Sequence, residues 1–191
     1  MNEAMIREDD VRIPQREECL HMLVAMQMPD HIQAHSERVC RVALLLTDLL
    51  LQAGVTLNRP LVIASALLHD ITKPRSFKTG ENHSRTGGEY LTGLGYPEVG
   101  DIVRQHVILD AYFAGEMPNE AEIVNYADKR VLHDQIVSLQ NRMDYILERY
   151  AKTAEHRQWL QQIWEQTVLL EQRLFAYLNF APIDLLDYVE D

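Results

Sequence analysis

The hydrophobic positions along this chain recur mostly at helical spacing, and they predict an all-α protein. The clearest stripe lies between Asp30 and about Ala53 and consists of Ile32, His35, Val39, Val42 and Leu46. Apolar residues repeated every three or four positions on one face are typical of an amphipathic helix. Only 8 Gly and 7 Pro, with few alternating β-branched runs, also favour helices over sheet.

Proline and glycine divide the rest of the pattern into further segments. We expect an N-terminal helix at about 14–27, then helices at about 61–69, 83–94, 97–107, 119–150 and 154–178. Residues 71–82 are expected to form a loop and residues 1–13 a loose arm. No repeat or low-complexity tract separates two parts, so we expect residues 1–191 to form a single domain with its core at about 30–150.

Charge and cysteine content narrow the functional classes. The net charge of −11 argues against a general binder of nucleic-acid polymers or membrane surfaces, which needs a basic face. No apolar run reaches the roughly 18 residues that a membrane span needs. Cys19 and Cys40 stand alone and the N-terminus lacks a secretory signal pattern, so we expect a reduced, cytoplasmic protein.

His69 and Asp70 stand together where the apolar helix at 61–69 ends. A charged group on a buried surface needs a partner, because its removal from water is costly. Adjacency alone proves little, since His133 and Asp134 form a second such pair. On the helix expected at 119–150, His133 would lie about 140° around from Asp128, on the solvent side. The second pair therefore serves as an internal control.

Six candidate metal ligands fall on or beside buried helical faces: His35, His69, Asp70, His83, His106 and Asp128. Imidazole nitrogen and carboxylate oxygen suit divalent iron, manganese, nickel or zinc. Six ligands exceed what one tetrahedral ion needs, so we expect one or two divalent metal ions. Two ions roughly 3.5–4 Å apart assist phosphoryl displacement and lower the pKa of a bound water.

The order of His35, His69-Asp70 and Asp128 resembles the HD-domain superfamily of metal-dependent phosphohydrolases. The resemblance covers about Asp30 to Leu132 and includes the lead-in Ala66-Leu67-Leu68, the lysine three residues after Asp70, and Tyr126-Ala127-Asp128-Lys129. It implies an HD-domain helical bundle, here with an added C-terminal helix. It also implies that His35, His69, Asp70 and Asp128 bind one metal.

His83 and His106 resemble the additional ligands of the dinuclear branch of this superfamily, where they complete a second metal site. That branch includes small bacterial hydrolases of dinucleoside tetraphosphates. Thr72 stands where many relatives carry glycine, and Val107 stands where several carry histidine or threonine. These departures leave the substrate open.

Basic residues gather between Ile71 and Tyr90, where the local charge is +2 in a chain of −11. Positive groups beside metal ions bind phosphate oxygens and stabilise charge in the transition state. We select Lys73 first for this role, followed by Arg75 and Lys129. Tyr112 and Phe113 either stack on a nucleobase or anchor their loop on the core.

These features lead to the hypothesis of a metal-dependent phosphohydrolase acting on a small phosphoester, with a nucleotide as the expected substrate. Asp70 would orient the attacking hydroxide or take its proton, and Lys73 would neutralise phosphate charge. A non-catalytic regulatory module that binds metal and nucleotide is the alternative, and a purely structural scaffold is a third. We also consider a homodimer formed through the last helix or the acidic tail at 183–188.

Overall fold

The computed structural model describes residues 12–189, and nearly all of its regular structure is helical. The helices are α1 (Arg16–Ala25), α2 (Asp30–Gln52), α3 (Arg59–Leu68), α4 (Lys73–Thr79), α5 (His83–Gly93), α6 (Pro97–Arg104), α7 (Glu120–Lys129), α8 (Leu139–Tyr150), α9 (Ala154–Phe175) and α10 (Leu185–Tyr188). A small antiparallel hairpin, β1 (Val131–Leu132) with β2 (Gln135–Ile136), separates α7 from α8, and a 3₁₀ turn (Pro182–Asp184) precedes α10. The predicted all-α class is confirmed.

Three helices, α2, α3 and α7, form the centre of the protein and contact one another. Their apolar faces are excluded from solvent, as shown by the fully buried Leu46 of α2, Leu67 of α3 and Ile123 of α7. Each aliphatic side chain of this kind contributes on the order of 1.5–3 kcal/mol when it leaves water. The candidate ligands His35, His69 and Asp128 are therefore held by well-packed helices.

Helices α5 and α6 pack against each other through two glycines. A Cβ atom on Gly88 would lie 2.6 Å from the carbonyl oxygen of Gly100, and one on Gly100 would lie 2.5 Å from the Thr92 hydroxyl oxygen. No larger residue fits at this approach without displacing backbone. The glycine contact brings His83, the first residue of α5, near His106, which follows α6.

The start of α7 is fixed by the capping box that the sequence predicts. The Asn119 side-chain oxygen accepts a hydrogen bond from the Glu122 amide, and the Glu122 carboxylate accepts one from the Asn119 amide. Such a cap satisfies amide groups that have no partner within the helix. It sets the register of the helix that carries Asp128.

Two segments differ from the sequence-based expectations. Helix α4 lies within the predicted loop at 71–82, because Pro74 in its first turn loses no hydrogen bond and Gly80 ends it with φ at 72°. The helix predicted at 119–150 is interrupted by the hairpin. The chain reverses at His133, where φ is 56°. His133 is exposed as expected, but the helical argument for its position was wrong.

The terminal helices agree with the sequence-based expectations. Helices α1 and α9 lie inside the bounds predicted for the N-terminal and C-terminal helices. Of the arm expected at 1–13, residues 1–11 lie outside the described residues, and the single domain over 1–191 stays a prediction. Between residues 12 and 189, no helix combines the length and the apolar character needed to cross a membrane.

Candidate metal centre

Three buried side chains from the central helices converge on one point. His35 comes from α2, His69 follows the last residue of α3, and Asp128 lies near the end of α7. The Nε2 atoms of His35 and His69 lie 3.1 Å and 3.7 Å from Asp128 Oδ1. Because three helices meet here, residues that are far apart in sequence form one compact group of nitrogen and oxygen atoms.

Asp70 joins this group to a second one. Its Oδ2 lies 3.4 Å from His69 Nε2, whereas its Oδ1 lies 3.2 Å from His83 Nε2 and 3.6 Å from His106 Nε2. The Nε2 atoms of His83 and His106 are 3.2 Å apart. The ligand atoms of His35, His69 and Asp70, and those of Asp70, His83 and His106, each lie within 4.8 Å of one another. Asp70 is therefore common to two possible metal-binding sets.

The backbone orients three of the four imidazoles toward the centre. Nδ1 of His35, His69 and His106 lies 2.8, 2.8 and 2.7 Å from a backbone carbonyl oxygen, respectively. A carbonyl oxygen only accepts, so each Nδ1 carries a proton and donates it. This leaves Nε2 directed at the carboxylates, which is the usual arrangement of metal-binding histidines.

Both carboxyl groups are ionised despite their burial. Burial alone would raise the pKa of Asp70, but the charges of His69 and Lys73 outweigh it and hold that pKa well below its usual range. Burial likewise opposes ionisation of Asp128, yet a hydrogen bond from His35 and the charge of Arg142 lower its pKa well below the usual range. Two carboxylates therefore face the imidazoles at neutral pH.

The imidazoles also favour a cation between them. Burial and repulsion from His69 lower the pKa of His106 to about 3, so its Nε2 presents a lone pair. His69 Nε2 and Asp70 Oδ1 are buried and have no well-formed hydrogen bond among the described residues. Leaving such atoms unsatisfied costs about 1–3 kcal/mol each. A divalent cation would replace the proton that burdens His69 Nε2 with charge and would contact Asp70 Oδ1, so the residues present fit iron, manganese, nickel or zinc.

Lys73 lies at the opening of this cluster. Its Nζ is 2.6 Å from Asp70 Oδ2, and its side chain is 29% exposed. Burial disfavours the ammonium, but the negative charge of Asp70 outweighs burial and raises the pKa of Lys73. The structure therefore places a permanent positive charge where solvent reaches the candidate metal ligands.

Arg75 and Lys129, the other two predicted phosphate contacts, point elsewhere. Arg75 is exposed and its Nε lies 2.5 Å from Glu81 Oε1. Lys129 is buried, which lowers its pKa to about 8, and its Nζ donates to the His106 carbonyl at 3.0 Å and to two oxygens of Asn125. With three donors used, Lys129 supports the loop of His106, and its predicted phosphate role finds no support in this geometry.

Arg142 of α8 lies at the cluster although the sequence analysis did not select it. Its Nη2 is 3.7 Å from Asp128 Oδ1, and its side chain is only 14% exposed. No sequence motif marks Arg142, because the position of α8 is set by the β-hairpin that precedes it.

Tyr112 and Phe113 fit the loop-anchor alternative, because Tyr112 packs on the core and the Arg173 guanidinium lies 5.6 Å from the Phe113 ring centre.

Two known proteins are similar to this chain over more than two thirds of its length. One similar protein is the tRNA (cytidine(56)-2'-O)-methyltransferase of Picrophilus torridus, with 30% identity over 145 residues, which is 69% of this chain. The chain spans only 40% of the length of that protein. A solved structure described as a predicted HD superfamily hydrolase, from an uncultured Thermotogales bacterium, has 24% identity and a TM-score of 0.49; the match covers 86% of this chain and 94% of that one.

The family model of the HD domain matches residues 33–131, which is more than half of the chain. The match begins two residues before His35 and ends three residues after Asp128, so it encloses every candidate ligand. The converging histidines and carboxylates thus lie within the segment that defines the family. This chain belongs to the HD domain family.

Proposed function

We propose that this protein is a metal-dependent phosphohydrolase that cleaves a nucleotide or a similar small phosphoester. The observation that carries the proposal is the position of Asp70. This buried carboxylate faces two groups of imidazoles, one with each oxygen, and holds the ammonium of Lys73 at 2.6 Å. Membership of the HD domain family supports the same chemistry.

The side chains divide naturally between two ions. His35, His69, Asp70 and Asp128 would hold one ion, and Asp70, His83 and His106 would hold another. A divalent ion bound there supplies Lewis acidity toward a phosphoryl oxygen and lowers the pKa of a nearby water toward neutrality. Four imidazoles and two carboxylates accept several first-row metals, so the proposal extends to iron, manganese, nickel and zinc.

The chain's own groups would orient the reactants. Asp70 is ionised, so its carboxylate would accept a hydrogen bond from the attacking water and orient it. Lys73 reaches solvent at the opening and would donate hydrogen bonds to phosphate oxygens as charge develops on them. The net charge of −11 favours a small substrate over a nucleic-acid polymer.

The test compares two aspartates that each follow a histidine. Asp70→Ala removes the shared ligand, whereas Asp134→Ala alters the exposed Asp of the second His-Asp pair. We expect the wild type to carry one or two ions per chain and to hydrolyse a nucleotide in a phosphoester screen with manganese. Asp70→Ala should lose metal and about 10³-fold in turnover, since metal ions supply several kcal/mol to the transition state.

The control variant Asp134→Ala should match the wild type in both measurements. Full activity of Asp70→Ala would reject the assignment. Stoichiometric metal without turnover of any phosphoester would favour the regulatory binding module. Absence of metal, even after manganese or iron is added back, would favour the structural scaffold.

A further inference from the structure

We propose that Arg142 and Lys73 form an anion-binding pair that receives the phosphate group of the substrate. The inference rests on the phosphohydrolase function proposed above and adds a residue from outside the segment that the family model matches. The substrate class that fits is a phosphoester whose phosphate carries two negative charges. Arg142, which lies on α8, would thus complete a site whose other residues lie between α2 and α7.

Each cation faces one of the two carboxylates. Lys73 Nζ lies 2.6 Å from Asp70 Oδ2, and Arg142 Nη2 lies 3.7 Å from Asp128 Oδ1. His69 Nε2 lies 3.4 Å from Asp70 Oδ2 and 3.7 Å from Asp128 Oδ1, so the two carboxylates with their cations are neighbours. The pair therefore flanks one site rather than two separate ones.

Within residues 12–189, the Arg142 side chain makes none of the hydrogen bonds that a buried guanidinium normally makes. Its Nε atom is shielded from solvent and has no partner in the described chain. The 3.7 Å separation from Asp128 is too long for a hydrogen bond. A guanidinium offers five N–H donors in a planar fork that matches two phosphate oxygens. Donors thus remain available beside the candidate metal ligands.

The charges of the site explain what would occupy these donors. The carboxylates of Asp70 and Asp128 balance the cations of Lys73 and Arg142. Each divalent ion then adds two positive charges, and a phosphate dianion brings the net charge of the site back toward neutrality. Without an anion, Arg142 helps to keep Asp128 ionised but repels a metal ion bound beside it, because like charges at this range repel. The presence of Arg142 is therefore explained by a ligand that arrives after the metal.

An anion-binding role of Arg142 predicts opposite effects of its removal on metal affinity and on phosphate affinity. Arg142→Gln removes the repulsion, so manganese should bind as tightly as in the wild type or severalfold more tightly. Phosphate should bind about 10- to 100-fold more weakly, because a charge-assisted hydrogen bond is lost. A role in holding Asp128 would instead weaken metal binding.

The experiment uses manganese and inorganic phosphate as probes. Electron paramagnetic resonance of free manganese gives metal affinity, and ³¹P relaxation in the manganese-loaded protein gives phosphate affinity near the metal. The variants are Arg142→Gln, Arg142→Lys and the control Arg149→Gln. Arg149 belongs to the same helix but is exposed and lies 5.9 Å from the Tyr145 ring centre. Circular dichroism verifies that each variant is folded.

We expect Arg142→Gln to keep manganese and lose phosphate, Arg142→Lys to bind phosphate with intermediate affinity, and Arg149→Gln to match the wild type. Unchanged phosphate affinity in Arg142→Gln overturns the proposal, as does a wild type that binds no phosphate. Parallel loss of metal and phosphate also overturns it. If Arg142→Gln does not fold, the Arg142→Lys variant decides. Phosphate affinity equal to that of the wild type in Arg142→Lys would mean that the guanidinium fork does not bind phosphate, which overturns the proposal.

Failure of this inference is distinguishable from failure of the proposed function. A wild type that hydrolyses no phosphoester rejects the enzyme but leaves phosphate binding measurable. Phosphate binding that depends on Arg142 in such a protein would retain the anion-binding pair as part of a binding module. Turnover that is insensitive to Arg142→Gln, with equal phosphate affinity, would retain the enzyme and reject the pair.

Discussion

The two halves of the candidate metal centre contain the same type of ligand but are supported differently. The first half, His35, His69 and Asp128, is mounted on three central helices and is buried. In the second half, His83 begins the short helix α5 and its side chain is 25% exposed, whereas His106 is buried in the turn after α6. The identity of a ligand and the way the fold supports it are therefore separate properties of a site.

The partial exposure of His83 has a consequence for metal affinity. Regions with exposed backbone and few buried contacts open locally at a lower free energy than a packed core. The second half depends on the contact of Gly88 with Gly100, whereas the first depends on the burial of whole helical faces. We therefore expect the first half to retain its ion more tightly.

The largest effect is expected when one ligand of each half is replaced in a separate variant. His69→Gln should abolish stoichiometric metal and reduce turnover about 10³-fold, because His69 contacts both carboxylates. His83→Gln should leave one ion per chain and a smaller loss of turnover, which excess manganese restores in part. Elemental analysis with steady-state kinetics measures both effects.

The matched control for these variants is His31→Gln, which changes an exposed histidine four residues before His35 on α2. It should resemble the wild type in metal content and turnover. Equal loss of metal in the His69 and His83 variants would show that the two halves bind as one unit and would contradict the comparison.

A smaller test concerns the support of His106 by Lys129. Lys129→Met removes the ammonium that donates to the His106 carbonyl and to Asn125. Loss of a group that orients a ligand typically lowers metal affinity about 10- to 100-fold. We expect this loss for the second ion alone, in a manganese titration that resolves two affinities, with Lys78→Met on the exposed surface of α4 as control. An effect on the first ion alone would reverse the assignment.

Much of this molecule could be predicted because helices and family motifs are local. The stripe beginning at Ile32 predicts α2 and the burial of His35, and the capping box predicts the start of α7. Helix α4 was missed because Pro74 and Gly80 suggest a loop, although proline is favourable in a first helical turn.

The positions of Lys129 and Arg142 show where sequence reasoning stops. Lys129 adjoins Asp128 in the motif, but successive helical residues point about 100° apart, so adjacency does not give a common direction. Arg142 reaches Asp128 only because the chain reverses at His133 and starts a new helix. The buried Arg130 side chain donates to the Val137 carbonyl across the hairpin and to the Pro182 carbonyl, which lies 52 residues away. Contacts between distant parts of the chain thus accompany this reversal, and no local pattern encodes them.

The smallest expected effect concerns His133, whose backbone carbonyl, and not its side chain, orients a ligand of the first half. Its carbonyl oxygen accepts from His35 Nδ1 at 2.8 Å, and its φ is 56°. Asparagine tolerates positive φ, so His133→Asn should leave metal content unchanged and the free energy of unfolding within about 0.5 kcal/mol. His133→Val should cost about 1–3 kcal/mol, because a β-branched residue is strained there.

Thermal unfolding and elemental analysis of these two variants separate the carbonyl from the side chain. Because the carbonyl position depends on the backbone, strain from valine should also loosen His35 and lower affinity for the first ion. Loss of metal in His133→Asn would instead mean that the exposed imidazole itself takes part. The exposed pair His133-Asp134 would then not be a neutral control. The tight binding expected of the first half would also need another explanation than the His133 carbonyl that orients His35.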